Sequence, residues 1–539
     1  MKLKSILFLT SMIALSAMPV AAQSRAPDTG AVAPIHYFET PLDAKPRVVV
    51  TTDGEADDSN SLIRYLLYST DFQTEGLIYS SSEYHWAGDW KGTKFDHPGR
   101  EYDMFGLHLC PCTSYRWPLG ELPIDRAVDA YAEVYPNLHV HDSDYPTPQY
   151  LRSIIRWGNV DFEGEMSHDT AGSDLIKSLL LDDEQTPVYL LAWGGQNTIA
   201  RALKSIEEQF GDTPQWPSIR EKVIRKAVII ASGEQDDTYA DYIKPHWPEI
   251  RYVQQAGGIN LGYNTQSSVS KQDAVYFSPA WTKANVSDRG PLGSLYRVWG
   301  DGIQMVRGDI FAYFGVPNAS VAELRKQGYI VWTPPHEKGA FLGEGDDGTF
   351  LNLIDNGLRG YRDDSFGGWG GYRQVGPSPF LALMRKFQEQ AKKNPDAMLQ
   401  FMMNMPRQPT NPFLQAAQRD FAVRLLWSVT PEYKDANHNP QVTLQTPQDV
   451  SAMPGQLVTM SATTSDPDHN KVTLRWWDWD KAGSYDKPIK LDHTNGLSTS
   501  FRVPRDAKVG QTIQIVAEAT DDGTPALTRY AKVVVTVLK

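Results

Sequence analysis

The chain has 539 residues and a formal net charge of −13 at pH 7. One hydrophobic core rarely serves so long a chain, so two or more domains are expected. The acidic balance argues against a nucleic-acid partner, because affinity for phosphate backbones depends on Lys and Arg, and it is compatible with divalent cations and neutral ligands.

Residues 1–22 have the pattern of a secretory signal peptide. Lys2 and Lys4 precede an apolar stretch and the small-residue sequence that ends at Ala22. The stretch is too short to span a bilayer, and no later segment offers about 20 apolar residues in a row, so no membrane span is expected. We therefore expect a periplasmic or secreted protein in which residues 23–45 form a lead-in segment.

Residues 46–430 are predicted to form one α/β domain. Apolar runs typical of buried strands alternate with segments that have apolar residues at helical spacing. The predicted strands are 47–50, 76–79, 188–192 and 227–231, and the predicted helices are 59–68, 173–181 and 198–210. This alternation indicates a mainly parallel sheet with flanking helices, in which ligands bind beyond the carboxyl ends of the strands.

Residues 437–539 have a different pattern, which predicts an all-β, immunoglobulin-like sandwich. Turn-forming residues separate short alternating runs at 442–444, 457–462, 472–479, 512–519 and 531–537. Trp476, Trp477 and Trp479 lie in one of these runs. Alternation along a strand places Trp476 on the face opposite the other two, so at least one of the three rings is expected in the core.

An acidic segment follows the first predicted strand. Asp53, Asp57 and Asp58 lie close together, and Gly54 permits a sharp turn before the next helix. Crowded carboxylates repel one another unless a cation compensates them, and Asp oxygens suit calcium or magnesium, of which calcium better tolerates irregular geometry. The alternative is that Asp57 and Asp58 only stabilise a helix N-terminus.

The same segment resembles the nucleoside hydrolase signature Asp-x-Asp-x-x-x-Asp-Asp, with Thr51 in the place of the first Asp. The resemblance implies that Asp53 is general base and calcium ligand, that Asp58 is a second ligand, and that Asp57 is a catalytic residue contacting the sugar. It also implies direct hydrolysis, in which calcium holds a water and two sugar hydroxyls while Asp53 removes the water proton. This mechanism departs from the usual pair of opposed glycosidase carboxylates.

Two later segments resemble other parts of the nucleoside hydrolase site. The segment around Trp193 resembles a strand-to-helix turn whose backbone carbonyl reaches the metal, so Trp193, or else Gly194, would supply that ligand. A Gly-rich acidic loop stands in the place of the family's last calcium-ligating Asp. Asp346 is the preferred residue there, and Asp347 is the second choice.

Candidate substrate contacts lie in several loops. They are Asp57, Asn197, Asn260, Glu344 and Trp369. Asn260 aligns weakly with a ribose-contacting Asn of nucleoside hydrolases. Trp369 lies between two Gly-Gly pairs, and apolar sugar faces stack well on such rings, although single Trp residues more often pack in the core.

Other polar residues have weaker functional signals. His85, His336 and Glu337 lie in polar contexts and could protonate a leaving group, although each is more often structural. Cys110 and Cys112 are the two cysteines of the chain, and their spacing leaves open both a disulfide across a very short loop and a free or redox-active pair.

Nearly all of the mature chain resembles a bacterial family of secreted proteins that are described as cellulose-binding and combine a nucleoside-hydrolase-like domain with a β-sandwich. The phrases that carry this resemblance are 344–346, 351–358 and 366–372. It implies an exported, calcium-dependent glycoside hydrolase that cleaves a glycosidic bond of a plant or other extracellular carbohydrate by direct water attack. The alternatives are a non-catalytic carbohydrate-binding protein and an exported purine or pyrimidine nucleoside hydrolase. A homo-oligomer is compatible with each.

Overall fold

The structure is a computed structural model that describes residues 35–117, 120, 122–363, 365–373 and 394–539. The predicted signal peptide and residues 23–34 of the lead-in lie outside the described residues. The chain divides into the units Met1–His36 and Tyr37–Lys539, and the second unit contains both predicted domains. The described residues include no helix that is long and apolar enough to cross a membrane.

A parallel sheet forms the centre of the larger predicted domain. Its strands are β1 Arg47–Thr52, β2 Gln73–Tyr79, β3 Ile155–Trp157, β4 Val188–Ala192, β5 Ala227–Ala231 and β6 Arg251–Val253. Their spatial order is β3-β2-β1-β4-β5-β6, and every neighbouring pair is parallel. The chain adds strands outward from β1 in one direction and then continues with β4 on its other side. The carboxyl ends of β1 and β4 therefore flank a crevice of the kind in which α/β proteins bind ligands.

Helices cover both faces of this sheet, which confirms the predicted α/β class. The α-helices of the described residues are α1 Ala56–Leu67, α2 Pro123–His141, α3 Pro148–Ser153, α4 Ala171–Leu181, α5 Asn197–Phe210, α6 Trp216–Lys226, α7 Lys244–His246, α8 Thr265–Ser268, α9 Pro279–Thr282, α10 Gly290–Leu295, α11 Val321–Lys326, α12 Pro395–Asn404 and α13 Leu414–Trp427. Alternate residues of β1 enter different cores: Val48 and Val50 pack with α1, α2 and α13, whereas Val49 packs with α4, α5 and α6. Burial on both faces explains why the middle of β1, residues 48–50, is apolar without alternation.

The predicted β-sandwich is also confirmed. Its strands are β9 Gln441–Leu444, β10 Asp449–Ala452, β11 Leu457–Ser465, β12 Thr473–Asp478, β13 Ser498–Arg502, β14 Thr512–Thr520 and β15 Thr528–Val537. They form the sheets β10-β15-β14-β12 and β13-β11-β9. Two further strands, β7 Gln255–Gly257 and β8 Gly371–Arg373, pair antiparallel outside the main sheet.

The sandwich shares core packing with the α/β part of the chain. Trp476 is buried inside the sandwich, whereas Trp479 faces Phe413, with ring centroids 4.8 Å apart. Buried Asp420 on α13 accepts a hydrogen bond from Arg529 of β15 at 2.6 Å and one from Arg424 at 3.0 Å. The opposite orientations of these tryptophans agree with the predicted alternation, and the Asp420–Arg529 ion pair joins the two parts.

Candidate functional site

The acidic segment forms a tight turn between β1 and α1. Gly54 adopts a φ of +78°, which L-residues with side chains rarely adopt, and its amide donates to the Thr52 hydroxyl at 3.1 Å. The same hydroxyl donates to Asp58 Oδ1 at 2.5 Å. Thr52 thus fixes both the turn and the carboxylate of Asp58, and the turn lies at the β1–β4 crevice.

Asp53 directly follows β1 and has no exposed surface. Neither of its carboxylate oxygens accepts a hydrogen bond from any residue that the structure describes. Its carboxyl group lies against Gly194 in the turn after β4, where a Cβ atom would approach Asp53 Cγ to 2.6 Å. Glycine at position 194 therefore allows the β4–α5 turn to contact the carboxyl group directly.

Asp57 and Asp58 lie on the first turn of α1, close to Glu55. One carboxylate oxygen from each of Glu55, Asp57 and Asp58 lies within 4.8 Å of the others, an arrangement that could hold a metal ion. Asp57 is additionally fixed by the Tyr263 hydroxyl, which donates to its Oδ1 at 2.6 Å. Gly345 packs against the other oxygen of Asp57, which brings the later acidic loop to the same place.

The electrostatics of the buried carboxyl groups favour an added cation. Burial, followed by the charges of Glu55 and Asp57, raises the pKa of Asp53 well above its usual value, and the nearby Ser82 hydroxyl offsets part of this rise. Burial and the neighbouring carboxylates likewise raise the pKa of Asp58 and of Asp346. Ionising all of these groups together is unfavourable unless a positive charge joins them.

The donor set also fits a hard divalent cation. Asp346 Oδ2 and both oxygens of Asp53 are buried and accept no hydrogen bond within the described part of the chain. Carboxylate and carbonyl oxygens are the ligands that calcium prefers. The backbone carbonyl of Trp193 lies at the same turn as Gly194 and accepts a hydrogen bond from Gln235 Nε2 at 3.1 Å.

Glu55 forms the more open side of the site, and its side chain is 19% exposed. Its Oε1 lies 3.0 Å from His85 Nε2. Burial alone would raise the pKa of Glu55, but His85 and then Arg116 lower it, so this carboxylate is held in its charged form. The sequence prediction missed Glu55 as a ligand candidate, although it stands inside the acidic segment.

A small pocket opens beside Glu55. Its other lining residues are Ala56, His85, Arg116, Tyr263, Arg297, Met305, Asp309, Ala312 and Phe314. Arg116 links two segments at its edge, because it donates to Asp309 at 2.8 Å and to Glu101 at 2.9 Å. On the apolar side, the rings of Tyr263 and Phe314 stack with centroids 5.0 Å apart.

Glu344 and Asp347 pair with Arg64 in the interior of the protein. Arg64 Nε lies 2.5 Å from Glu344 and 2.8 Å from Asp347, and all three side chains are buried. The Tyr296 hydroxyl also donates to Glu344. Glu344 thus makes internal contacts rather than facing the pocket. Asp346, which lies between Glu344 and Asp347 in the sequence, interacts instead with the acidic cluster.

The other predicted substrate contacts also make internal contacts. Asn197 donates to Ser81 Oγ at 2.9 Å and to the Asn159 carbonyl at 2.8 Å. Asn260 donates to Ser268 Oγ at 2.8 Å. Trp369 is fully buried, so its ring presents no open face for stacking on a sugar.

Of the three residues suggested as leaving-group acids, only His85 is among the residues that line the pocket. His85 lies in the pocket beside Glu55. His336 lies near Trp299, with ring centroids 5.4 Å apart, and burial lowers its pKa to about 4. Glu337 is exposed. Of the two possibilities for Cys110 and Cys112, the structure has the disulfide.

Comparison with known families identifies the chain. It belongs to the family described as "Cellulose-binding Sde182, nucleoside hydrolase-like domain", whose model matches residues 47–372. Residues 457–537 match the model described as "Cellulose-binding protein Sde0182, C-terminal domain". A search of curated proteins returned no match.

A similar solved structure covers both parts of the chain. It is a nucleoside hydrolase-related hypothetical protein from Saccharophagus degradans that is described as associated with carbohydrate metabolism. It shares 23% identity, covers 92% of this chain and 100% of its own, and has a TM-score of 0.62, which confirms the fold. Three N-terminal domains of the bacteriophage RB49 outer capsid protein Hoc also match, at 10% identity over 18% of this chain and 30% of that chain, with a TM-score of 0.14.

Proposed function

We propose that this member of the cellulose-binding, nucleoside-hydrolase-like family is an exported, calcium-dependent glycoside hydrolase acting on an extracellular carbohydrate. The observation that carries the proposal is Asp53. A fully buried carboxyl group whose oxygens accept no hydrogen bond within the described residues is costly to keep, and such groups are concentrated at functional sites.

Calcium would be held by Asp53, Asp58, Asp346 and the carbonyl of Trp193, with Glu55 as a further carboxylate at the open side. When bound, a hard divalent cation lowers the pKa of water and orients it. Magnesium demands stricter geometry than this irregular set of loops favours, whereas calcium accepts six to eight oxygen ligands.

The protein's own groups divide the remaining work. Asp53 has a raised pKa, and its oxygens accept no hydrogen bond within the described residues although the Ser82 hydroxyl lies nearby, so it suits a general base that accepts a proton from water. Asp57 is held in one orientation by the Tyr263 hydroxyl, which suits an acceptor for a sugar hydroxyl. Tyr263 and Phe314 offer an apolar wall against a sugar ring.

The pocket beside Glu55 is small, and an ion pair lies at its edge. The Arg116–Asp309 ion pair bridges two segments at the pocket edge, and both side chains are largely buried. An edge bridged in this way would favour a chain end over the interior of a polysaccharide, which needs a cleft open at two ends.

A non-catalytic carbohydrate-binding protein is the second candidate. The family description names cellulose binding, and Thr51 replaces the first acidic residue of the nucleoside hydrolase signature. A nucleoside substrate is a further alternative, which the nucleoside-hydrolase-like fold supports.

One experiment separates these candidates. Purified protein is incubated with oligosaccharides and with a nucleoside panel, with calcium or with a chelator, and products are identified by mass spectrometry. Asp53→Asn is compared with the control variant Asp144→Asn, which changes an exposed carboxylate that is not part of the acidic cluster. Calcium-dependent product that Asp53→Asn abolishes and Asp144→Asn preserves supports the hydrolase, and its mass identifies the substrate class. Ligand binding with no product in any condition would refute turnover and favour the binding protein.

A further inference from the structure

Two tryptophan side chains are exposed beside the edge strand β3. Trp157 is the last residue of this strand and is 40% exposed, and Trp90 from the segment after β2 is 65% exposed. Their ring centroids lie 6.4 Å apart, with the ring planes at 89°. We infer that these two rings form a second carbohydrate-binding site, the Trp90–Trp157 platform, which holds a single chain of a neutral polysaccharide.

Buried aromatic residues support the platform from below. Trp157 packs on Tyr79 at a centroid distance of 5.0 Å and on Trp117 at 6.3 Å. Both supporting rings are buried, and the Tyr79 hydroxyl donates to Asp125 at 2.8 Å. Trp157 is thus held in a fixed orientation before any ligand arrives, which lowers the entropy lost on binding.

The chain also holds Trp90 in an unfavourable backbone conformation. Its φ of 59° lies in the left-handed region, which is uncommon for a bulky residue. Asp89 stabilises the turn by accepting hydrogen bonds from the Lys91 amide at 2.9 Å and from the Thr93 hydroxyl at 2.5 Å. A turn of this kind presents an indole ring to solvent, although burial of such a large apolar group would be favourable.

The surrounding charges indicate a neutral ligand. Asp89 and Lys91 flank Trp90 in the sequence, and Asp161 interacts electrostatically with both of them as well as with His168 and Glu165, so charges of both signs lie near the Trp90 turn. A nucleic acid would require an excess of Lys and Arg. Aromatic rings with a mixed polar rim match sugars, which have apolar faces and hydroxyl edges.

The position of the platform connects it to the acidic pocket. The order β3-β2-β1 puts the carboxyl end of β3 two strands from the turn that carries Asp53. Neighbouring strands lie about 4.8 Å apart, so the separation across the sheet is roughly 10 Å. A polysaccharide on the platform would lie beside the pocket, on the same edge of the sheet.

The ring geometry selects the form of the polysaccharide. Two rings at 89° cannot both lie flat on one plane, so they do not match the surface of a crystalline fibre. A single chain can place one sugar face on one ring and turn its next sugar toward the other. We therefore expect binding of soluble chains rather than of crystalline cellulose.

The inference rests on the carbohydrate partner of the proposed function and does not depend on turnover. Affinity gel electrophoresis of the full chain in hydroxyethyl cellulose, xyloglucan, xylan and galactomannan tests it. Trp90→Ala and Trp157→Ala are each expected to weaken retardation by at least about fivefold. Trp157→Phe should keep most of the binding, and Leu497→Ala, which shortens an exposed apolar side chain of the sandwich, is the control.

The same gels run with a chelator and with Asp53→Asn separate the platform from the acidic pocket. Retardation that persists in both supports the platform, whatever the result of the product assay. Three results would overturn it: no retardation in any of the four polymers, equal retardation of wild type and both folded Ala variants, or loss of retardation in the chelator.

Discussion

Replacing Asp53 by Asn is expected to stabilise the calcium-free protein and to remove most of its response to calcium. Asn keeps the size of the side chain and removes the charge. Burying a charge next to like charges is unfavourable, so removing it should raise the unfolding free energy of the calcium-free protein by about 1–3 kcal/mol. The raised pKa of Asp53 shows that its ionisation destabilises the folded state. The folded state binds the proton more tightly than the unfolded state, so stability is lost as pH rises above the unfolded pKa of 3.8.

Calcium should reverse the order of the two proteins. A ligand at 100 times its Kd adds about 2.7 kcal/mol to the unfolding free energy. For a chain of this size the entropy of unfolding is about 1 kcal/mol per degree, so wild type should gain about 2–3 °C in Tm. Asp53→Asn should gain less than half of this, because it loses a charged ligand.

Urea unfolding and thermal scans at pH 7.5, with chelator and with titrated calcium, measure both quantities. Asp144→Asn should follow wild type in each condition. If Asp53→Asn lowered the calcium-free stability by more than about 1 kcal/mol and kept the full calcium response, Asp53 would be a structural residue and the reasoning would be wrong.

Four further predictions follow from specific contacts. Gly194→Ala places a Cβ 2.6 Å from the Asp53 Cγ position, so the Tm response to calcium should fall by at least half; an unchanged response would contradict the packing. Glu55→Gln removes one carboxylate of the cluster and should weaken calcium binding about tenfold in isothermal titration, whereas unchanged affinity would exclude Glu55 as a ligand. Asp420→Ala leaves the buried Arg424 and the partly buried Arg529 without their carboxylate and should cost about 3–5 kcal/mol in urea unfolding; a loss under about 1 kcal/mol would show that the ion pairs contribute little. Burial lowers the pKa of His141 below 6.5, so the unfolded state binds the proton more tightly and stability should fall as pH drops below 6.5; His141→Gln should reduce this loss in thermal scans between pH 5 and 7.

The sequence predicted the central strands well because burial on both faces makes them continuously apolar. The strands at 188–192 and 227–231 have the predicted bounds. β3 was missed, since three residues of partly exposed edge strand have no such run. β10 and β13 were missed for the same reason, because both strands are short and consist largely of polar residues.

The site was predicted unevenly. The position of the acidic segment follows from the strand before it and from Gly54, which are both local signals. Glu344 and Trp369 were placed in the site because they stand in Gly-rich loops. Their burial depends on distant partners, Arg64 for Glu344 and Tyr68 for Trp369, and no local pattern reveals such partners.

The contacts of Arg64 explain why a bound cation is expected near Asp346 and not near Glu344 or Asp347. Arg64 already pairs with Glu344 and Asp347 in the interior, although burial and the charge of Glu344 still raise the pKa of Asp347. By contrast, the charges that shift the pKa of Asp58 come from Asp346, Asp53, Asp57 and Glu55, all of the same sign. The loop from 344 to 347 thus sends two carboxylates to a protein cation and one, Asp346, to a cluster of like charges. A fold that needed these acids only for its own stability would gain by neutralising the cluster as it neutralises Glu344, so the unequal treatment argues that the cluster is kept for a ligand.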